Sequence, residues 1–291
     1  MKYGGLDVGA LGCSPSTRLY GLIGSPISHS LSPAIHCAVY RAAGIDAVYL
    51  AWDTPQEKLE ERVKALRNLA GGFNVTIPLK EAVLGLLDSL DEAAEAIGAV
   101  NTVSVEDGSL TGYNTDYLGV AECLRGHRPR VALIVGAGGA ARAAVYALRD
   151  LGAVKVIIAN RSLGRAQRLA EWSKSLGLDA LAVSLSEAAG WASRADTVVN
   201  ATPLGSEACC PGEAPPVLDG LHEGQVVFDM VYRPLETLLL KRAREAGART
   251  VDGLCMLVWQ ALYADKIWLG VEPTSELYEV ARRAALDAMK A

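Results

Sequence analysis

The sequence has no long apolar run, no large surplus of one charge, and no clustering of cysteine with histidine of the metal-binding kind. Each absence removes a class of protein. No stretch approaches the roughly 18 apolar residues needed to cross a bilayer. The N-terminus has Lys2 but then Gly and Asp, without the continuous apolar segment of a secretory signal. The chain is therefore expected in the cytoplasm, away from membranes. A formal charge of −5 creates no field that gathers nucleic acid, so any anionic ligand must be held by local groups. The six cysteines, Cys13, Cys37, Cys123, Cys209, Cys210 and Cys255, lack paired spacing. Small apolar fillers in a reducing compartment are expected for most of them. Cys209 and Cys210, beside Pro211, fall in an expected exposed loop where they are open to oxidation. Repeats and low-complexity segments are also missing.

What is present is a core. The 291 residues are 51% hydrophobic and 21% charged, and that length is about twice a typical domain. Residues 1–17, rich in Gly and Ser, read as a peripheral extension. Beyond them, short apolar strands at 19–23, 48–52 and 72–75 alternate with helices that Ser32-Pro33 opens, that span 55–70, and that Pro78 starts. Segments 99–105 and 110–113, joined through Asp107-Gly108, form a hairpin. This alternation predicts a mainly parallel first sheet. A second unit starts after a helix near 117–124, with apolar strands at 131–135, 154–159, 180–183, 197–201, 226–230 and 250–251 separated by helices. Strands apolar at nearly every position predict a doubly wound sheet covered on both faces. Two final helices, about 254–269 and 274–289, are expected to return to the first domain. The expected architecture is α/β: a discontinuous substrate domain, 1–117 plus 254–291, and a Rossmann-type domain, 118–253.

Gly136-Ala137-Gly138-Gly139-Ala140 follows strand 131–135 and opens a helix. Gly136 permits the tight turn, Gly138 lets the backbone approach a pyrophosphate, and Ala141 keeps helix and sheet close. The helix N-terminus presents unpaired N–H groups to the phosphates. A structural turn is the bland alternative. At the end of the next strand an NAD enzyme usually carries an acidic residue that binds the ribose 2′-hydroxyl. Here stand Asn160-Arg161-Ser162, with Arg165 one turn on. Arg161 and Arg165 suit a 2′-phosphate, with Ser162 as a further donor, so the cofactor expected is NADP. A solvated arginine pair is the alternative.

Polar residues gather at strand ends in the first region: Ser28 and Ser30 around His29, then Asn74, Thr76, Lys80, Asn101 and Asp116. In a parallel sheet such ends face the ligand crevice. Singly, each has a local explanation: Ser28 and Ser30 as helix caps, Asn74 and Thr76 likewise, Asn114 and Asp116 as turn formers, Lys80 as a solvated charge. Their joint occurrence favours a site.

Ser28-His29-Ser30-Leu31-Ser32-Pro33, Asn74-Val75-Thr76-Ile77-Pro78-Leu79-Lys80, Gly98-Ala99-Val100-Asn101-Thr102 and Gly112-Tyr113-Asn114-Thr115-Asp116 together resemble the signatures of the shikimate dehydrogenase family. The glycine turn, Asn160-Arg161-Ser162, Asn200-Ala201-Thr202-Pro203, Asp229-Met230-Val231-Tyr232, Asp252-Gly253-Leu254-Cys255-Met256-Leu257 and Gln260 continue the series in order, over about residues 18–291. The resemblance implies reversible, NADPH-dependent reduction of 3-dehydroshikimate to shikimate in aromatic amino acid biosynthesis. It implies that Ser28, Ser30 and Tyr232 hold the substrate carboxylate, and that Asn74, Thr76, Asn101, Asp116 and Gln260 bind ring hydroxyls. Lys80 and Asp116 would form the catalytic pair. Thr202 would lie near the cofactor, with Met230 and Gly253 bordering the nicotinamide. Departures are Ser162 for a common Thr, Asp265 where an aromatic is frequent, and segments 1–17 and 206–216, which the pattern does not cover.

The expected chemistry is hydride transfer, with Lys80 stabilising charge on the ketone oxygen and donating a proton while Asp116 orients it. No metal is expected. The partners are small molecules, with no nucleic acid or membrane, and a homodimer is compatible. Three alternatives stay open: a quinate/shikimate dehydrogenase using NAD, a folate-type dehydrogenase of similar plan, and a nucleotide sensor without turnover.

Overall fold

The computed structural model describes residues 14–290, together with the backbone of two short antiparallel strands before them, β1 (Lys2–Tyr3) and β2 (Leu6–Asp7). The expected peripheral extension thus lies, for residues 1–13, outside those described apart from that ladder. At 14–17 the chain is tied down: the Ser14 and Thr17 hydroxyls donate to the Asp46 carboxylate at 2.6 and 2.5 Å.

The described chain divides into two units, one of Met1–Asn114 with Ala261–Ala291, the other Thr115–Gln260. The first contains β3 (Arg18–Gly24), α1 (Ser32–Ala43), β4 (Ala47–Asp53), α2 (Leu59–Leu66), β5 (Gly72–Val75), β6 (Ser89–Leu90), α3 (Glu92–Ile97), β7 (Thr102–Glu106) and β8 (Ser109–Tyr113). Its sheet runs β4-β3-β5-β7-β8-β6. β3, β4 and β5 are parallel, whereas β7 pairs antiparallel with both β5 and β8. β6 pairs parallel with β8, so β7 alone runs against the others and the sheet is mainly parallel, as expected. A two-residue connection can only reverse the chain, and Asp107-Gly108 makes one, both residues having positive φ (52° and 77°).

Local patterning overran the true elements in two places. The helix expected at 55–70 is a 3-10 turn, Gln56–Lys58, followed by the shorter α2. The helix expected from Pro78 is only a 3-10 segment, Ala82–Leu86. Here the Lys80 carbonyl accepts the Val100 N–H at 2.9 Å, and Leu84 N–H turns instead to Glu81 O, three residues back, at 3.3 Å. An α-helical bond from Leu84 to Lys80 is replaced by a contact that ties the segment to the sheet. α3 and β6 were not anticipated, although α3 carries local signals: Asp91 caps it through Ala94 N–H at 2.8 Å and Gly98 ends it at φ 69°.

The second unit contains α4 (Asp116–Cys123), β9 (Val131–Val135), α5 (Gly139–Asp150), β10 (Lys155–Ala159), α6 (Leu163–Ser175), β11 (Asp179–Val183), α7 (Ala188–Ala192), β12 (Thr197–Asn200), β13 (Val226–Asp229), α8 (Leu238–Glu245) and β14 (Arg249–Val251). The strand order is β11-β10-β9-β12-β13-β14, parallel throughout. Alternate residues of β9 enter opposite cores: Ile134 packs with Ala141, Ala144 and Leu148 of α5, and Leu133 and Val135 with Ala188, Leu239 and Ala243. Both faces are covered, which explains why these strands are apolar at most positions.

The chain then enters α9 (Gly253–Leu269), within which the unit boundary falls, and ends in α10 (Ser275–Lys290), which packs on α1. Trp268 near the end of α9 stacks on Tyr20, with centroids 5.1 Å apart, and donates its indole N–H to Val103 O at 2.9 Å.

Cys123 of α4 and Cys255 of α9 form a disulfide inside the second unit, with Cα atoms 5.9 Å apart, and Cys209 pairs with Cys210 in the loop after β12. Only Cys37 among the described cysteines is free. For Cys123 and Cys255 this corrects the expectation of reduced apolar fillers, while Cys209 and Cys210 are the pair expected to be open to oxidation. The bridged pair is 132 residues apart, a spacing invisible to local motif rules. Closing so long a loop restricts the unfolded chain by up to about 5 kcal/mol in the chain-entropy account. Thermal denaturation with and without dithiothreitol is expected to show a Tm lower by roughly 5–15 °C in the reductant, and Cys123→Ser should be insensitive to it.

Candidate active site

In the first unit, Asn74 on β5 lies opposite Thr102 of β7. Its amide donates to Asn101 O and Thr102 Oγ1, both at 3.0 Å, and its Oδ1 accepts the Tyr49 hydroxyl at 2.7 Å. Thr102 in turn donates to Asn101 Oδ1 at 3.1 Å. Asn74 and Asn101, both buried, are therefore brought together as one cluster. The chain after Asn74 is held just as firmly. Thr76 N–H bonds Ile23 O at 2.9 Å, Ser25 N–H bonds Ile77 O at 3.1 Å, and the Lys80 carbonyl is bound by Val100 N–H. A side chain at Gly24 would strike the Thr76 methyl, so glycine there lets the serine loop approach Thr76. Ser30 Oγ accepts Ser32 N–H at 3.2 Å, so the capping explanation holds for that residue at least in part. Ser28 is exposed and Lys80 half-buried.

The other expected substrate residues, Asp116, Tyr232 and Gln260, belong to the second unit. Asp116 is buried at the first position of α4. Gln260 donates to Leu257 O at 2.8 Å. Tyr232 is half-buried, and that loss of hydration raises its phenol pKa.

Gly136 has φ +119°, and a side chain on it would lie 2.9 Å from Ala201 O; only glycine serves here. Its N–H bonds Ala159 O and Ala201 N–H bonds Val135 O, both at 2.8 Å. The turn therefore sits between β10 and β12, where strand order reverses from β9, the crevice in which doubly wound sheets bind ligands. Nothing lies within 4 Å of a side chain built on Gly138 or Gly139, and the first turn of α5 carries no acid. Open backbone N–H groups at such a helix start suit a pyrophosphate. Arg161, Ser162 and Arg165 are exposed at the start of α6, and Asn160 Nδ2 bonds Ser162 O at 3.0 Å. The residues present fit NADP.

Asn200 and Asp229 lie side by side on β12 and β13. Asn200 Oδ1 accepts the Thr202 N–H and hydroxyl at 3.1 and 2.6 Å; its Nδ2 donates to Asp229 Oδ1 at 2.9 Å. Asp229 also accepts Val231 N–H at 3.1 Å and the Thr237 hydroxyl at 2.6 Å. Thr202 and Val231 are thus held by two buried side chains that motif reading did not single out as site residues, and Met230 N–H bonds the Asn200 carbonyl at 3.0 Å. A side chain on Gly253 would meet the Met230 carbonyl, which brings those two expected nicotinamide neighbours together.

Burial pushes the Asp229 carboxyl up to about 6 from an ordinary 3.8, and its three donors only partly offset the lost hydration. A carboxyl whose pKa rises on folding contributes stability fully below its unfolded value, and loses it as pH rises through about 6. Asp229→Asn is expected to flatten the decline in urea midpoint between pH 4 and pH 6. An unchanged slope would assign that titration to another group.

The family model described as Shikimate dehydrogenase substrate binding domain matches residues 22–103, and that described as Shikimate / quinate 5-dehydrogenase matches residues 121–212. This chain belongs to the shikimate dehydrogenase family. A shikimate dehydrogenase (NADP(+)) of Methanopyrus kandleri is 44% identical over 286 residues, covering 94% of this chain and 97% of the relative. That of Rubrobacter xylanophilus is 48% identical over 264 residues, 88% of this chain and 92% of its own. Among solved structures, shikimate 5-dehydrogenase of Thermus thermophilus in complex with NADP(H) and shikimate superposes with a TM-score of 0.82 at 41% identity, covering 92% of this chain and 99% of that one. Quinate dehydrogenase of Corynebacterium glutamicum in complex with NAD gives 0.86 at 35% identity, covering 93% and 99%.

Proposed function

We propose that this member of the family is an NADP-dependent shikimate dehydrogenase, reversibly reducing the ring ketone of 3-dehydroshikimate to shikimate in the supply of aromatic amino acid precursors in the cytoplasm. Identity of 44% and 48% to shikimate dehydrogenases (NADP(+)), over 94% and 88% of this chain, carries this conclusion. Arg161 and Arg165, with no carboxylate between 160 and 170, support NADP over NAD.

The bound nicotinamide supplies or accepts the hydride. Every other contribution comes from the chain. Ser28, Ser30 and Tyr232 hold the substrate carboxylate through their hydroxyls; Asn74, Thr76, Asn101 and Gln260 bind the ring hydroxyls. Lys80 stabilises the charge that develops on the ketone oxygen and delivers the proton to it, with Asp116 as the carboxylate that orients Lys80. The Gly136-Ala137-Gly138-Gly139-Ala140 turn receives the pyrophosphate. Asn160, Arg161, Ser162 and Arg165 take the adenosine end, and Thr202, Met230 and Gly253 the nicotinamide end.

A quinate-oxidising enzyme using NAD is the second reading, favoured by how closely the Corynebacterium quinate dehydrogenase superposes. One absorbance assay at 340 nm, pairing shikimate or quinate with NADP or NAD, decides between them. Highest kcat/KM is expected for shikimate with NADP; a higher value for quinate with NAD would overturn the assignment.

A further inference from the structure

Behind Asn74 lies a polar relay to which the proposed chemistry assigns no task. Tyr49, on β4 and 2% exposed, donates its hydroxyl to Asn74 Oδ1 at 2.7 Å. The Tyr49 ring lies flat against the His36 imidazole, with centroids 4.1 Å apart and planes at 9°. His36 Nδ1 shares a 2.8 Å hydrogen bond with Asp265 Oδ1, and neither side chain has any exposed surface. Tyr40 and Trp268 close around the imidazole at 6.1 and 5.7 Å. One strand and two helices, α1 and α9, thus contribute to a single chain of contacts that ends on an amide of the proposed substrate site.

Such a cluster is costly in a core. Burial raises the Asp265 carboxyl above its usual range, which His36 and the Tyr40 hydroxyl only partly offset, and His36 Nε2 has no direct hydrogen-bond partner, although buried polar atoms nearly always have one. Apolar residues of similar volume would often stabilise the core as well or better. What the cluster does supply is orientation. An asparagine amide is almost symmetric in shape, so its neighbours decide which end is the acceptor. With Asn101 O accepting on one side and the Tyr49 hydroxyl donating on the other, Asn74 has one satisfied orientation. Turned over, it would set Oδ1 against the Asn101 carbonyl.

We propose that Tyr49 is a positioning residue for Asn74, and that the His36–Asp265 pair holds the Tyr49 ring at the depth from which its hydroxyl reaches that amide. The proposal rests on Asn74 being a substrate-binding residue. Its effect falls on the polyol substrate and not on the nucleotide, whose proposed ligands are in the second unit.

Steady-state kinetics of the full-length protein with shikimate and NADP test it, using Tyr49→Phe, Asp265→Ala, Asp265→Asn, Asn74→Ala and the Tyr49→Phe/Asn74→Ala double variant. Tyr49→Phe keeps the stacked ring and deletes one buried hydrogen bond, so KM for shikimate is expected to rise about tenfold, with kcat within about twofold and KM for NADP unchanged. Asp265→Ala should reproduce that split, and Asp265→Asn, which still accepts a hydrogen bond, should recover much of the loss. The double variant should be no worse than Asn74→Ala alone, because the hydroxyl acts only through the amide. A raised shikimate KM in Asn74→Ala beside an unaltered one in Tyr49→Phe would overturn the relay alone. An unaltered KM in Asn74→Ala would remove that residue from the site, and the relay with it. Equal rises in both KM values, or a loss of melting temperature without a kinetic split, would reduce the cluster to packing.

Discussion

Lys80→Ala is expected to lower kcat by at least about 10²-fold with a smaller change in KM, the signature of a group whose interaction is strongest in the transition state. The backbone on which Lys80 sits is unusually well fixed for a residue outside regular structure: its carbonyl is held by Val100 N–H, next to Asn101, and Leu79 N–H closes a turn on Thr76 O. These two bonds fix the backbone from which the Lys80 side chain extends. As the carbonyl oxygen gains charge, a compact point cation is worth more to it than to the neutral ketone, and that difference is what accelerates the step. Lys80→Arg keeps the charge but replaces the point ammonium with a planar fork, so it should recover little. The measurement is single-turnover reduction of 3-dehydroshikimate, with a melting curve as the folding control. Near-normal turnover in a folded Lys80→Ala protein would remove Lys80 from the mechanism.

Replacing Arg161 and Arg165 together by Gln is expected to raise KM for NADPH by about 10²-fold while changing that for NADH less than about threefold, since each hydrogen bond to a charged partner contributes roughly 1.5–3 kcal/mol. Both residues are exposed at the start of α6, so pairing with a 2′-phosphate requires little desolvation, and the preference should weaken as salt is added. NADH lacks that phosphate and serves as the internal control. Equal losses for the two nucleotides would refute the assignment.

The elements most legible in the sequence were those decided by neighbouring residues. The run 131–135 followed by Gly136 announced a strand and a tight turn, because no other residue tolerates φ +119° with a carbonyl 2.9 Å from its missing side chain. Asp107-Gly108 announced its hairpin because a two-residue reversal needs positive φ at both positions, here 52° and 77°. The helix expected from Pro78 failed because a distant donor, Val100 N–H, claimed the carbonyl that would have continued it. Asn74 and Asn101 stood out as polar residues in apolar strands, yet Tyr49 and Thr102, which bind them, did not. A tyrosine in a strand is ordinary, and nothing nearby tells where its hydroxyl ends.

By itself, then, the sequence determined the alternation of strands and helices, the phosphate turn, the arginines in place of an acid, and family membership through motifs in fixed order. Each depends on backbone geometry or charge within a few residues. Tertiary structure alone decided that β7 pairs with β5, that Cys123 meets Cys255, that Asn200 sets Thr202 and Asp229 sets Val231, and that His36 meets Asp265 across 229 residues. Those partners are chosen by how layers close over a shared core, and no local rule encodes which of many compatible side chains will be opposite when they do.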